Sequence, residues 1–305
     1  MQKEYNKWKA INNILRGLSP SFYDVFNRPP GVLEVWLLNT FIDHNIEFFE
    51  EGHSDFKYLE EQLKFLDKES HIPKYKEIIN FMMLNYKIMP KKNLYEPRLE
   101  NSIFYYGKFL RHIPQERINV LLKMGTLEEI IIMIMRYSFI SVRGSQQWAC
   151  PRKLYENLIK LYDIEIEGFA SPLNSQMMMI SKKKGNYCSL FFDTDKVFGS
   201  LGSFFEQDFQ GKRVFINPPF HPRFILDVYN KIMSETGAFY IVVLPEWLND
   251  EGYQKFLKAA KYTYTYDQKD HYYEHDGKII NATFKSTFFL IGTKTEKNLL
   301  NLLYS

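Results

Sequence analysis

The sequence predicts an α/β fold with an N-terminal helical domain followed by a doubly wound sheet. Up to about residue 140, apolar residues recur at spacings of three and four positions, as they do on amphipathic helices. Beyond Arg143 the pattern changes, and short apolar runs alternate with helical stretches. We therefore expect a helical domain at residues 1–122 and a sheet domain at residues 123–305.

Three segments up to about residue 140 carry the helical pattern, and proline-containing breaks separate them. The segments are VWLLNTFIDHNIEFF (35–49), YKEIINFMMLNYKIM (75–89) and RINVLLKMGTLEEIIIMIMRY (117–137). The breaks are RPPG (28–31), HIPK (71–74), MPKK (89–92) and HIPQ (112–115). This spacing predicts that the first domain is helical.

Five apolar runs in the second domain are candidate strands. They are IEIEGFA (164–170), YCSLFFD (187–193), RVFIN (213–217), AFYIVVLP (238–245) and FKSTFFLIG (284–292). Helical stretches lie at 151–162, 223–235 and 251–261. In a doubly wound sheet, ligands bind outside the carboxyl ends of the strands. Because Asn217 ends the third run, the sequence predicts a ligand site at this position.

Composition narrows the class of protein. Hydrophobic residues make up 45% of the 305 positions, which favours a folded chain over a disordered one. The net charge is +3, so a nucleic-acid partner would need a local basic surface. The N-terminus is polar, and the longest apolar run, near 130–135, is too short to cross a bilayer. We expect a soluble intracellular protein, nuclear or cytoplasmic, with no membrane partner.

The sequence predicts no metal site and no disulfide framework. Cys150 and Cys188 are the two cysteines, too few for a disulfide scaffold or a Cys-rich zinc site. His271 and His275 are four positions apart and would share one face of a helix, but no further ligands accompany them.

The segment Asn217-Pro218-Pro219-Phe220 has the chemistry of a site for a planar amine. A residue before proline is restricted to extended geometry, and two prolines stiffen the backbone that follows. The side-chain oxygen of Asn217 and the carbonyl of Pro218 can then accept hydrogen bonds from one NH₂ group. Phe220 offers a face for an aromatic base, worth about 1–3 kcal/mol of stacking. Fixed acceptors orient the amine lone pair towards an electrophile. A simple turn is the alternative explanation.

Four motifs together resemble a known family. Asn-Pro-Pro-Phe matches the (D/N)PP(F/Y/W) signature of S-adenosylmethionine-dependent amino-methyltransferases, whose targets include base amines and glutamine amides. GFASPLN (168–174), DTDKVFGSLGSF (193–204) and PEW (245–247) accompany it. In this order and spacing they resemble the phosphorylated-CTD-interacting-factor family of cap-specific adenosine N6-methyltransferases, over about residues 136–292.

The resemblance implies a fold, a reaction and a substrate. The fold would be a Rossmann-like methyltransferase sheet packed on a helical domain, with RNA in a positive groove between them. S-adenosylmethionine would be the cofactor. The substrate would be the first transcribed adenosine, as 2′-O-methyladenosine, beside an N7-methylguanosine cap of mRNA. No pair of spaced tryptophans typical of a WW module occurs, so recruitment through that module is not expected.

The resemblance also implies roles for individual residues. Asn217, Pro218, Pro219 and Phe220 match the catalytic tetrapeptide. The residues expected at the cofactor are Gln147, Trp148, Ser171, Pro172, Leu173, Asn174, Asp193 and Asp195. The two aspartates end a predicted strand, where a carboxylate can hold the ribose hydroxyls.

Substrate contacts are expected from side chains near the tetrapeptide and from basic residues. His221 and Arg223 directly follow it, and Trp247 would line the base pocket or pack in the core. The scattered basic residues Arg111, Arg117, Lys123, Arg136 and Arg143 would line one side of a groove.

Two alternative functions are consistent with part of this prediction. The first is adenine N6-methylation of DNA or of internal RNA sites, with the same fold and cofactor. The second is a non-catalytic subunit that binds capped RNA on a relic methyltransferase fold. The intact tetrapeptide argues against the relic, because such a protein does not need both acceptors and the stacking ring.

Overall fold

The computed structural model describes residues 1–17, 56–65, 69–92, 94–139, 147–181, 185–292 and 297–304. They form a mixed α/β protein, which confirms the predicted class. Two compact units are present, the first from Met1–His112 and Thr126–Gln146, the second from Ile113–Gly125 and Gln147–Ser305. The domain boundary between residues 122 and 123 stays a prediction.

Helices and strands alternate along the second half of the described chain. In chain order, the helices are α1 (Gln2–Gly17), α2 (Lys57–Phe65), α3 (Ile72–Lys87), α4 (Gln115–Met124), α5 (Leu127–Phe139), α6 (Arg152–Tyr162), α7 (Gln176–Ser181), α8 (Phe192–Asp195), α9 (Pro222–Ser234) and α10 (Glu251–Ala259). The strands are β1 (Arg98–Glu100), β2 (Ile103–Tyr106), β3 (Phe109–His112), β4 (Ile166–Ala170), β5 (Tyr187–Ser189), β6 (Arg213–Ile216), β7 (Phe239–Pro245), β8 (Tyr262–Tyr266), β9 (Tyr272–His275), β10 (Lys278–Asn281) and β11 (Ser286–Ile291).

The first unit is not entirely helical. Strands β1, β2 and β3 form an antiparallel meander with two-residue turns. Asn101 and Ser102 have φ of 49° and 64°, and Gly107 has φ of 58°, as tight hairpin turns require. The prediction of helix throughout this region is therefore wrong. The strands are only three or four residues long, and such short runs carry little periodicity.

Helix α1 organises the helical part of the first unit by contacting both α3 and α5. The Nη2 of Arg136 lies 3.1 Å from Oε1 of Glu4, and both side chains are buried. Arg136 was predicted to line an RNA groove. That prediction is wrong, because its guanidinium is paired inside the unit. The predicted helix at 35–49 lies outside the described residues.

The predicted helical segment at 117–137 is two helices. Helix α4 ends at Met124 and α5 begins at Leu127. Thr126 and Glu129 form a capping box: the Thr126 amide donates to Glu129 Oε2 at 2.8 Å, and the Glu129 amide donates to Thr126 Oγ1 at 3.2 Å. This local signal begins a new helix and overrides the continuous apolar pattern.

The second unit is built on one six-stranded sheet with the order β5-β4-β6-β7-β11-β8. Strands β5, β4, β6 and β7 are parallel, and β11 is antiparallel to both β7 and β8. All seven residues of β7 are buried, as expected for a central strand covered on both faces. The five predicted strands are present. The second is shorter than predicted, because residues 192–195 turn into α8.

The parallel strands determine where their loops lie. Their carboxyl ends face one edge of the sheet, so the residues after β4, β5, β6 and β7 are brought together there. The antiparallel strand β11 begins at the same edge, since Ser286 pairs with Pro245. The described residues contain no helix with both the length and the apolar composition that a membrane crossing requires.

The histidine pair at 271 and 275 does not share a helix. His275 ends strand β9, and His271 lies just before that strand, so the predicted helix face is wrong. His271 is buried, and its Nδ1 is hydrogen-bonded to the Tyr304 hydroxyl. Within the described ranges, no three His, Cys, Asp or Glu side chains are grouped as a metal site would need.

His271 makes stability depend on pH. Burial lowers its pKa to about 3. An unfolded histidine titrates near 6.5, so below that pH the unfolded chain binds a proton that the folded chain does not. Stability is therefore complete above pH 6.5 and falls as pH decreases towards 3. Between pH 7.5 and 5 we expect His271 to reduce the free energy of unfolding by about 2 kcal/mol.

Urea unfolding at the two pH values tests this expectation. His271→Asn keeps a polar partner for Tyr304 but cannot titrate, so it should lose about 2 kcal/mol less than the wild type over this interval. Equal losses in the two proteins would contradict the assignment.

Candidate active site

Asn217 is the first residue after β6, and one hydrogen bond fixes its amide. Its Nδ2 donates to the backbone carbonyl of Trp148 at 3.2 Å. A carbonyl can only accept, so the orientation of the amide is determined. Its Oδ1 therefore faces the other way, and it is buried without a hydrogen-bond partner among the described residues. A buried acceptor of this kind is ready for a donor from outside the chain.

A second acceptor lies next to the first. The carbonyl of Pro218 accepts no hydrogen bond from the described residues. The residue four positions on is Pro222, which has no N–H to close a helical turn. The amide of His221 donates to the carbonyl of Pro219 instead, at 2.9 Å. The amide of His221 is thus used elsewhere and Pro222 has no amide, so neither residue occupies the Pro218 oxygen.

The ring of Phe220 belongs to an aromatic cluster. Its centroid lies 6.0 Å from that of Tyr273 and 5.7 Å from that of Phe284, both in edge geometry. The indole of Trp148 is 5.6 Å from Tyr273. Tyr273 is fully buried, whereas Phe220 and Trp148 are half-buried. Tyr273 therefore supports the rings that approach the surface of the site.

The loop after β4 is closed by its own side chains. Asn174 Oδ1 accepts from the Ser171 amide at 2.7 Å and lies 3.0 Å from the Ser171 Oγ. The amides of Asn174 and Ser175 both donate to the Ser171 carbonyl, at 3.1 and 2.9 Å. These bonds explain the local sequence, because serine and asparagine supply the short polar side chains that such turns need.

One side-chain and two backbone hydrogen bonds fix the position of the segment 147–149. The Ser171 hydroxyl donates to Gln147 Oε1 at 2.6 Å. Ala149 and Glu274 exchange two backbone hydrogen bonds of 3.0 and 2.7 Å, which attach the segment to strand β9. The structure therefore brings Gln147, Trp148, Ser171 and Asn217 together at the carboxyl edge of the sheet.

The two predicted ribose ligands differ in exposure. Asp195 is fully buried and accepts a hydrogen bond from the Thr194 hydroxyl at 3.0 Å, whereas Asp193 is exposed. Both lie on the short helix α8 rather than on a strand end. Their contact with a ribose stays a prediction.

The predicted substrate residues have different environments. His221 is half-buried, its Nδ1 is buried without a partner among the described residues, and burial lowers its pKa, aided by the nearby charge of Arg223. Arg223 is exposed at the start of α9, and Trp247 is half-buried after β7. Arg143 lies outside the described residues. Their substrate contacts also stay predictions.

Other residues of this site were not identified from the sequence. They are Arg117, Glu167, Tyr273, Glu274 and Phe284. Arg117 was expected at an RNA groove, but it is buried and bonded to the loop after β4, so that prediction is wrong. Of the other four residues, only Glu167 could have been noticed in the sequence, because it is an acidic residue inside an apolar strand.

The chain is similar to known proteins. Residues 120–276, which are 157 of the 305, match the family model described as Phosphorylated CTD interacting factor 1 WW domain. The chain belongs to this family. The description of the family model mentions a WW domain. The matched range nevertheless contains the four parallel strands β4 to β7 of the central sheet.

Two named proteins are similar to part of the chain. A protein from Mus musculus and one from Homo sapiens are each named mRNA (2′-O-methyladenosine-N(6)-)-methyltransferase. Each is 31% identical over an alignment of 106 residues that covers 33% of this chain. The match spans only 14% of the length of either relative.

The aromatic cluster leads to a stability prediction. Tyr273→Leu removes the ring that contacts Trp148, Phe220 and Phe284, and we expect it to lower the free energy of unfolding by about 2–4 kcal/mol. Tyr273→Phe keeps the ring and should cost about 1 kcal/mol or less, since the hydroxyl has only a 3.4 Å contact with Ser286 Oγ.

Chemical unfolding of these variants tests the prediction. Tyr264→Leu is the matched control, because this tyrosine is 40% exposed on the edge strand β8. If Tyr264→Leu and Tyr273→Leu cost the same, the cluster has no special role in stability.

Proposed function

We propose that this protein is an S-adenosylmethionine-dependent RNA methyltransferase that methylates N6 of adenosine. The observation that carries the proposal is the oriented amide of Asn217, whose Oδ1 is a buried acceptor without a partner among the described residues. The neighbouring Pro218 carbonyl is a second such acceptor. Family membership and the two relatives, which are named as mRNA adenosine methyltransferases, support the same conclusion.

The residues at the edge fit the proposed cofactor. Gln147 uses its Oε1 to accept from Ser171, and its Nε2 has no hydrogen bond to the described residues, so it can donate to a carboxylate. Asp193 is an exposed carboxylate that suits the vicinal hydroxyls of a ribose. Pro172, Leu173 and Asn174 supply the loop between these ends. When bound, S-adenosylmethionine supplies an electrophilic methyl group on a sulfonium.

The chain's own groups would hold and orient the target amine. Asn217 Oδ1 and the Pro218 carbonyl each accept one of its two N–H hydrogens. Because both acceptors are fixed, the nitrogen lone pair is directed away from them, which favours direct in-line transfer. The rigid Pro219 maintains this geometry, and Phe220 stacks on the base, worth about 1–3 kcal/mol.

The adenine would be surrounded by the predicted substrate residues. Burial lowers the pKa of His221, which favours the neutral imidazole, and its unpartnered Nδ1 is available for one hydrogen bond, as donor or acceptor according to the tautomer. Arg223 is exposed and suits a phosphate of the same nucleotide. Trp247 and Arg143 complete the proposed substrate set. The proposed target is 2′-O-methyladenosine beside the cap of mRNA, in keeping with the names of the relatives.

Asn217→Ala tests the proposed role of the amide. Removing one fixed acceptor should reduce kcat by at least about 10²-fold. Cofactor affinity, measured by calorimetry, should change little, because the side chain is assigned to the amine. Turnover of RNA by the variant close to wild-type turnover would refute the mechanism.

Two further variants make this test specific. Asn230→Ala is the matched control, because Asn230 is exposed on α9, and its activity should equal that of the wild type. Asn217→Asp keeps an oxygen at the site but loses the donor to Trp148, so it should also be impaired. If Asn217→Asp is fully active, the bond to Trp148 does not orient the amide.

A panel of nucleic acids tests the substrate. Short RNAs of one sequence would begin with N7-methylguanosine-capped A, unmethylated-capped A, triphosphate A or capped G, with duplex DNA alongside. We expect label from S-adenosylmethionine only on capped A, recovered as N6-methylated adenosine. If all adenosine substrates were labelled equally, the proposed methyl transfer to adenosine would stand and the proposed cap specificity would be refuted. No transfer, with RNA still bound, would favour a non-catalytic subunit.

A further inference from the structure

The loop Ser171–Ser175 is bonded to two buried charged side chains that lie outside every cofactor motif. Arg117, on α4, is 8% exposed, and Glu167, on β4, is 1% exposed. Charged residues are rarely so buried unless they are paired and hydrogen-bonded. The contacts of both residues converge on this loop.

Arg117 braces the loop through its backbone. Its Nη1 donates to the carbonyl of Pro172 at 3.0 Å and to the carbonyl of Ser175 at 3.1 Å. One nitrogen therefore links the beginning and the end of the loop. Both carbonyls would be left without this charged donor if the guanidinium were removed, and unsatisfied buried carbonyls are costly.

Glu167 holds the other side of the same loop. Its Oε2 accepts from the Ser175 hydroxyl at 2.8 Å and from the amides of Gln176 and Met177 at 3.1 and 3.2 Å. Its Oε1 accepts from the Tyr155 hydroxyl. All four partners are donors, an arrangement that suits an ionised carboxylate.

The charges of Arg117 and Glu167 support each other. Burial raises the pKa of Glu167, and the positive charge of Arg117 acts in the opposite direction. Burial lowers the pKa of Arg117 to about 10, which still leaves it charged at neutral pH. Removing one of the two charges would leave the other buried with less compensation, which is a costly change.

We propose that Arg117 and Glu167 are positioning residues that hold loop Ser171–Ser175 in the conformation that binds the cofactor. This inference rests on the proposed function, which assigns the loop to S-adenosylmethionine. Neither residue is assigned a contact with cofactor or substrate. They act through Pro172, Ser175 and the first turn of α7, and they set cofactor affinity by removing alternative conformations of the loop.

Arg117→Met tests the inference in the full chain. Backbone amides of Leu173, Asn174 and Ser175 should exchange hydrogen at least about tenfold faster without cofactor. The Kd for S-adenosylmethionine, measured by calorimetry, should rise by about tenfold or more. In methyl transfer the KM for the cofactor should rise similarly, while kcat at saturating cofactor is largely retained. A purely stabilising role would lower Tm without these changes.

Matched variants keep the result interpretable. Arg152→Met removes an arginine that forms an ion pair with the exposed Glu116 on α4. This variant should leave hydrogen exchange of the loop amides and the Kd for S-adenosylmethionine unchanged. Arg117→Lys restores the charge and should recover part of the affinity. If Arg117→Met does not fold, loop amide exchange and the Kd for S-adenosylmethionine can be measured in Arg117→Lys and Glu167→Gln instead. We expect each of these variants to lie between the wild type and a protein that no longer binds the cofactor.

The possible failures can be told apart. A wild type that binds S-adenosylmethionine, together with unchanged Kd and loop exchange in the Arg117 variants, overturns the inference and leaves the proposed function standing. A wild type that does not bind S-adenosylmethionine overturns the proposed function and with it this role of the loop. If the Kd for S-adenosylmethionine rose equally in Arg152→Met and Arg117→Met, the inference would also be overturned.

Discussion

The parallel arrangement of strands β5, β4, β6 and β7 is the constraint on which the rest of the second unit depends. Parallel strands that share a sheet must end at the same edge, however far apart they are in sequence. The chain therefore delivers three separate loops and the residues after β7 to one place. Strand β11 adds its beginning to the same edge because it is antiparallel.

A sheet fixes where loops begin, but not how they are folded. In this protein the loops are fixed by polar side chains that bond to neighbouring segments. Asn217 is bonded to the Trp148 carbonyl, and Ser171 is bonded to Gln147. Each of these contacts joins residues at least 24 positions apart. Rigid loops matter because geometric precision in a site lowers the entropic cost of aligning two reactants.

Burying the charges of Arg117 and Glu167 carries a large desolvation cost. Arg117 and Glu167 are both desolvated, and charge buried in this way contributes little net stability compared with apolar side chains of the same size. Its value lies in geometry, because charged groups demand specific hydrogen-bond partners. The donors and acceptors that Arg117 and Glu167 require are those of the loop after β4. This provides a physical reason for placing an acidic residue within an apolar strand.

Much of the site was predictable from short motifs. The strand ends, the polar loop at 171–174 and the tetrapeptide at 217–220 are local features, and local sequence carries them. The meander at 98–112 was not predicted, because its strands are too short to show a period. The split between α4 and α5 was also missed, although the capping box of Thr126 and Glu129 was visible in the sequence.

The sequence by itself determined the positions of five strands of the second unit and the chemical character of the tetrapeptide, since both follow from neighbouring residues. Only the tertiary structure decided which distant side chains complete the site. Arg117 looked like a surface cation, yet it is buried beneath a loop that lies 55 positions away at Pro172. Tyr273 looked like any other core aromatic, yet it contacts three rings of the site. Such pairings depend on long-range packing, which no local periodicity encodes.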